Sequence, residues 1–169
     1  MRLSAEFYTQ SAVQLAPKLI GKTLCRRTGD EVVRLRITET EAYAGENDTA
    51  CHAHRGKTPR TSVLYEQGGI AYVYLCYGIH SLLNTVAGNL NEPEAVLIRG
   101  VEGISGPGRL TKALQIDLGL NRENLVTSNA LWLEDGAPLP YTTSPRIGID
   151  YASEEDRMRP WRFVASDLL

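Results

Sequence analysis

Apolar positions in this chain follow two periods, a helical one near the N-terminus and a strand-like one through most of the rest. Leu15, Ala16, Leu19 and Ile20 recur at helical spacing behind Ser11, which has Gln14 three residues on in the manner of a capping box. Gly21 supplies a C-terminal stop. Pro17 has no amide proton to donate, which predicts a helix that begins nearer Leu15 or bends there. From Thr23 to Tyr43 two β-type runs flank Thr28-Gly29-Asp30, a hairpin signal. Ala71 to Tyr77 is strongly β-prone, Gly78 predicts a tight turn, and a second strand follows around Ser81 to Val86. Ala95 to Arg99 reads as a buried strand and Pro107 to Leu118 as a helix opened by Ser105-Gly106-Pro107. Short runs at Leu131 to Leu133, Arg146 to Ile149 and Arg162 to Val164 finish the sheet, while His52 to Pro59 reads as loop. Strands outnumber helices and the connections are of hairpin type, so the predicted class is α+β with a mainly antiparallel sheet.

A chain of 169 residues without repeats, low-complexity tracts or a long linker fits one domain over 1–169, long enough to bury a substantial core. Its 43% apolar and 22% charged residues are ordinary for a soluble globular protein. No stretch approaches the apolar length of a membrane helix, and the N-terminus lacks a secretory pattern. A cytoplasmic protein is expected (nuclear in a eukaryote), without a membrane partner. Cys25, Cys51 and Cys76 form an odd set with no CxxC pair, which suits a reducing compartment. Cys51, His52 and His54 invite a metal reading, but no second cluster follows and His80 is isolated, so no metal site is expected. A net charge of −2 does not advertise a nucleic-acid partner. The distribution is less discouraging, with two local patches: Arg55, Lys57 and Arg60, and the three arginines between Arg157 and Arg162, the latter offset by Asp150, Glu154, Glu155 and Asp156. Phosphate binding by such patches would be weak and salt-sensitive.

The densest chemistry lies in Glu39-Thr-Glu41-Ala-Tyr43, at the end of a strand in which alternate residues share a face. That alternation predicts Val33, Leu35 and Ile37 on the same side as Glu39, Glu41 and Tyr43. Glu41 is either a solvated carboxylate at a strand end or a general base for water. Arg99 closes an apolar strand and needs a carboxylate or a bound water, with Glu102 a candidate for a purely structural pair. His52 is a satisfied loop histidine or part of a pocket. Asn84, inside an apolar strand, either bonds backbone or lines that pocket and rejects substrates by shape. Tyr72 and Tyr74 read as core-filling aromatics. Tyr77, beside Gly78 at the predicted hairpin tip, is poorly placed for a core and well placed to wedge between stacked bases.

Taken together these residues resemble the alkyladenine (3-methyladenine, methylpurine) DNA glycosylase family. The likeness rests on Thr-Glu-Thr-Glu-Ala-Tyr at 38–43, His52, Thr58-Pro59-Arg60, the run from Tyr72 to Gly78, Asn84, Val96-Leu-Ile-Arg99 and Ser105-Gly-Pro107. Leu19-Ile20-Gly21 and Arg146-Ile147-Gly148 extend it towards both ends. The resemblance implies a single compact domain with a curled antiparallel sheet, like the C-terminal domain of methionyl-tRNA formyltransferase. It implies removal of alkylated or deaminated purines from duplex DNA by a monomer, without metal or cofactor. On this chain Glu41 resembles the base that deprotonates the attacking water and Arg99 its partner in holding that water. Tyr43 and His52 resemble one wall of the base pocket, Tyr74 the opposite wall, and Asn84 the residue that crowds guanine's amino group. The peptide groups around Ala50 to His52 would help read the purine edge. Tyr77 resembles the finger that fills the gap left by a flipped nucleotide, with Ile79 beside it in the minor groove. Only Gly100 to Ile104 separate Arg99 from Ser105, a shorter segment than the family usually carries there, and Arg109 stands where lysine is expected.

The aromatic walls would favour a cationic alkylated purine, and an anionic Glu41 would stabilise an oxocarbenium-like sugar. No lysine lies in the Glu-Ala-Tyr strand or the tyrosine hairpin, so a Schiff-base lyase step is not expected. Two other readings use the same residues differently: a lesion-binding protein with little or no catalysis, and an RNA-binding module that would not need Glu41 and Arg99 together.

Overall fold

The computed structural model describes residues 1–166, and among them nine strands hydrogen-bond into one antiparallel sheet. In chain order the elements are α1 (Ala12–Leu19), β1 (Thr23–Thr28), β2 (Glu31–Tyr43), β3 (Ala71–Cys76), β4 (His80–Ala87), β5 (Glu94–Val101), β6 (Ile104–Ser105), α2 (Pro107–Ala113), β7 (Leu131–Glu134), β8 (Tyr141–Ser144), α3 (Glu154–Met158) and β9 (Arg162–Ala165). The class is α+β, as expected, with a curled sheet and few helices. The central path runs β3-β4-β5-β2-β1-β7, with β9 also pairing β2 and β8 pairing β9.

The curl originates in β2. Its first half pairs with β1, its second half with β5 on one edge and β9 on the other. The ladder to β5 is irregular between Ile37 and Thr40, a bulge that shifts which face each side chain takes. Ile37 and Ala42 therefore both enter the main core, while Glu41 and Tyr43 turn to the other side. Strict alternation predicted Ile37 on the face of the two glutamates, and the bulge overturns that.

On the core face, α1 packs Ala12, Leu15, Ala16 and Leu19 against the sheet. Ser11 caps it, accepting the Gln14 amide, so the helix starts at Ala12 rather than near Leu15. Pro17 removes one backbone bond without moving that start, because the buried stripe holds the segment in place. Thr40 donates its hydroxyl to the Ala16 carbonyl at 2.8 Å, tying helix to strand. Gly21 ends α1 at φ +94°, and a Cβ there would lie 2.4 Å from the Ala137 carbonyl oxygen. The second helix is shorter than predicted: α2 stops at Ala113, and Gln115 adopts φ 55°. Among the described residues no helix is long and apolar enough to cross a membrane.

Arg146 to Ile149, predicted as a strand, is instead a loop with a left-handed turn at Gly148. Arg146 is the reason. Its guanidinium is 0% exposed and grips Asp48, 1% exposed, through two bonds of 2.6 and 3.0 Å. It also donates to the carbonyls of Ala42 and Asp156 and lies between the Tyr43 and Trp161 rings. Such a pair fixes geometry more than it adds stability, but losing one partner strands a buried charge. Replacing Asp48 with Ala should lower unfolding stability by about 3–5 kcal/mol in a urea titration.

Candidate active site

Opposite the main core, the sheet presents a second face built by strand register. Tyr72 pairs with Asn84, Asn84 with Leu97, Leu97 with Glu41 and Glu41 with Arg162, a row of side chains across five strands. Tyr43, Tyr74 and Arg99 flank that row from the same strands. The segment 49–65, with its two short 3₁₀ turns, folds over this face on a small cluster that includes Cys51, Ala53, Val63, Leu64, Tyr72 and Ala95. Between them lies a cavity of about 780 Å³, lined by Tyr43, His52, Tyr74, Asn84, Arg99 and Tyr77 among others.

Glu41 sits just behind that lining, 0% exposed. Its Oε1 accepts the Tyr43 hydroxyl at 2.7 Å and its Oε2 the Ile147 amide at 2.7 Å, with Arg99 Nε at 3.8 Å. Burial raises the Glu41 pKa above its ordinary value of 4.5, against the opposing pull of Arg99, the Ile147 amide and the Tyr43 hydroxyl. The two hydrogen bonds and the neighbouring Arg99 charge favour the carboxylate over the acid, in opposition to desolvation. Tyr43, whose proton serves Glu41, is itself held well above an ordinary phenol by burial and by the carboxylate.

Arg99 bonds most closely not with Glu102 but with Glu39, Nε to Oε2 at 2.9 Å. Glu102 accepts the backbone amide of Arg36 instead. Arg162 meets the same Glu39 oxygen at 2.7 Å, and Arg159 pairs with Asp156 and Glu155. Two of the three C-terminal arginines are therefore already neutralised, so that patch does not form the free phosphate-facing surface its sequence suggested.

His52 is placed differently from the expected wall. Its ring meets Tyr74 edge to face at a centroid distance of 4.5 Å and lies 5.8 Å from Tyr72. The two residues touch, whereas a base stacked between them needs about 7 Å, two van der Waals separations. Nδ1 contacts the Tyr72 hydroxyl at 2.8 Å, and Arg60 Nη2 lies 3.1 Å from the same nitrogen. Burial, then the Arg60 charge, lowers the imidazole pKa to about 4, so His52 is neutral at physiological pH. Asn84 donates to the Tyr72 carbonyl at 3.2 Å and also lines the cavity.

At the mouth, β3 and β4 are joined by Tyr77-Gly78-Ile79, with Tyr77 88% and Ile79 74% exposed. Tyr77 takes φ 53° ahead of Gly78 at φ 68°, a conformation bulky residues rarely adopt. Cavity lining also comes from residues not expected in the pocket: Tyr72, Arg60, Ile147, Tyr151 and Lys112. Tyr72 packs in the smaller buried cluster, as read, and its hydroxyl also reaches His52 at the cavity.

The model of the methylpurine-DNA glycosylase family matches residues 6–105 and 102–168 of this chain. The chain belongs to that family. The two matched pieces meet at the Glu102–Gly103 turn between β5 and β6, where the connection is short. A protein of Borreliella burgdorferi, provisionally named 3-methyladenine DNA glycosylase, is 45% identical over 95% of this chain and 94% of its own length. A similarly named protein of Methanocella arvoryzae is 44% identical over 95% and 90%, and one of Psychrobacter cryohalolentis 43% identical over 88% and 84%.

Burial of Glu41 has a consequence for stability. Because its folded pKa is raised, the folded state holds this proton more firmly than the unfolded chain does. Its contribution is greatest at acidic pH and declines as pH rises through the folded value. Glu41→Gln cannot ionise, so its melting temperature should gain on the parent's as pH is raised from acidic to neutral in paired calorimetric scans.

Proposed function

We propose that the chain is a monofunctional DNA glycosylase that takes an alkylated or deaminated purine out of duplex DNA and hydrolyses its N-glycosidic bond. One observation carries the reading: an aromatic-lined cavity backed by a fully buried carboxylate that Tyr43, Ile147 and Arg99 surround with donors and charge. Family membership and the names of the relatives support the same activity.

A purine inside a duplex hides its glycosidic bond, so the nucleotide must swing out before any residue can reach it. Tyr77 and Ile79 project from the mouth of the cavity on a strained tip, suited to enter the stack in the base's place. The extruded base stacks on Tyr43 and Tyr74, with His52 moving off Tyr74 as the base enters. Arg60 already sits 5.4 Å from the Tyr74 centroid, and it has to accommodate that movement. Asn84, fixed by Tyr72, then limits what fits on the far edge of the purine.

Each oxygen of an ionised carboxylate has lone pairs to spare after one hydrogen bond. Glu41 can therefore take the proton of a water that attacks the anomeric carbon as the bond to the purine breaks. The bonding pair leaves with the base, and the sugar keeps the water's oxygen as a hydroxyl. The negative charge of Glu41 favours the oxocarbenium character that develops at the sugar. Lys112 lines the cavity from α2, away from the Glu41 strand, and the hydrolytic reading gives it no covalent role.

Duplexes carrying a single hypoxanthine, ethenoadenine or 7-methylguanine test this under single-turnover conditions. The parent should release the base and leave an abasic site, and borohydride should trap no covalent complex. Glu41→Gln should slow release about a hundredfold or more while binding the lesion duplex within about twofold. A variant that cuts at the parent's rate rules out the mechanism. Tight lesion binding by a parent that releases nothing points to a non-catalytic reader.

A further inference from the structure

Arg99 divides its guanidinium. Nε donates to Glu39, whereas the nearer Glu41 oxygen is 3.8 Å off, beyond a hydrogen bond. No acceptor among the described residues meets its terminal nitrogens, and Arg99 lines the cavity. Glu39, 7% exposed, serves two arginines through one oxygen, Arg99 and Arg162. Arg162 is held in turn by the Ser144 hydroxyl at 3.0 Å. Space for Glu39 is provided across the ladder by Gly100, where a Cβ would come within 3.2 Å of the Glu39 Cβ.

We propose that Glu39 is a positioning residue for base excision: it anchors Arg99 through Nε, turns the terminal nitrogens to the cavity, and keeps Arg99 from closing onto Glu41. The inference rests on the glycosylase reading and goes beyond it by giving the first glutamate of the Glu-Thr-Glu pair its own task. A guanidinium prefers a bidentate carboxylate partner. With Glu39 uncharged, Glu41 is the remaining carboxylate within reach of Arg99. Closure of that pair would occupy the lone pairs that receive the water's proton and withdraw the nitrogens that face the substrate. Arg162 completes the arrangement. Two acids and two arginines thus meet in one cluster of balanced formal charge.

Glu39→Gln tests the proposal because it keeps the shape and removes the charge. Single-turnover excision should fall about tenfold, the scale of a misplaced reacting group, with lesion-duplex binding within about twofold. The acidic limb of the rate profile should also move to lower pH, because an Arg99 released onto Glu41 favours its ionised form. Carbon-13 titration of the Glu41 carboxyl should show the same downward shift without reference to activity. Loss of a neighbouring anion lowers the Glu41 midpoint by itself, so the deciding readout is Glu39→Asp, for which a purely structural role would lower the melting temperature and leave both titrations in place. Glu39→Asp, which keeps the charge but withdraws it from Arg99, should shift the limb the same way and serves if Glu39→Gln does not fold. An active parent beside a variant equal to it in rate, limb and titration overturns the proposal alone. A parent that releases no base overturns the functional reading, and this proposal with it.

Discussion

A carboxylate sealed from water stays charged only where protein donors replace the solvent, and that requirement at Glu41 organises much of this molecule. Three regions far apart in sequence supply two donors and a compensating charge. Tyr43 comes from the same strand, Arg99 from β5, and the Ile147 amide from a loop 106 residues away. The loop can offer its amide only because Arg146 is locked onto Asp48 and stacked between Tyr43 and Trp161. The same arginine thus braces the back of an aromatic wall and the donor beside it. Chemistry and stability are coupled through one buried ion pair.

The sheet converts that local requirement into a site. Register aligns Tyr72, Asn84, Leu97 and Glu41 across four strands, and the bulge in β2 turns Glu41 away from the core that Ile37 and Ala42 enter. Without the bulge, strict alternation would have carried Ile37 and the glutamates to one face. The other face of the same strands holds Val73, Leu83, Val96 and Ile98 in the main core. Rigidity on one side supports a polar, partly open arrangement on the other, and the hairpin tip with Tyr77 and Ile79 projects beside the opening.

Much of this was legible in the sequence where the determinant was local. The β1–β2 and β3–β4 hairpins, the cap at Ser11 and the stop at Gly21 each follow from a few adjacent residues. So does the exposure of Tyr77, because a tip between two β-prone runs has no core to enter. What failed depended on partners distant in the chain. Arg146-Ile-Gly-Ile alternates like a strand, yet its conformation is set by Asp48, 98 residues earlier. Glu102 lies near Arg99 in sequence, but the strand pairing delivers Glu39 to it, 60 residues away. His52 was foreseen near the pocket, while its contact with Tyr74 depends on Arg60 and Tyr72, which composition alone presents as a loop cation and a core aromatic. The motif likeness named residues that the sheet gathers in and around one cavity; it could not show that Glu41 lies behind the cavity wall or that Arg99 is tethered to another acid.

The claim on which the rest depends is that Glu41 is buried, raised in pKa and still an anion under working conditions. Carbon-13 titration of its carboxyl in the unmodified protein addresses this directly. The account predicts a midpoint above the ordinary 4.5, and, for Glu41 to act as the base, an ionised carboxyl at the pH of the reaction. A carboxyl that titrates at the ordinary value, or one that remains protonated at neutral pH, would contradict it.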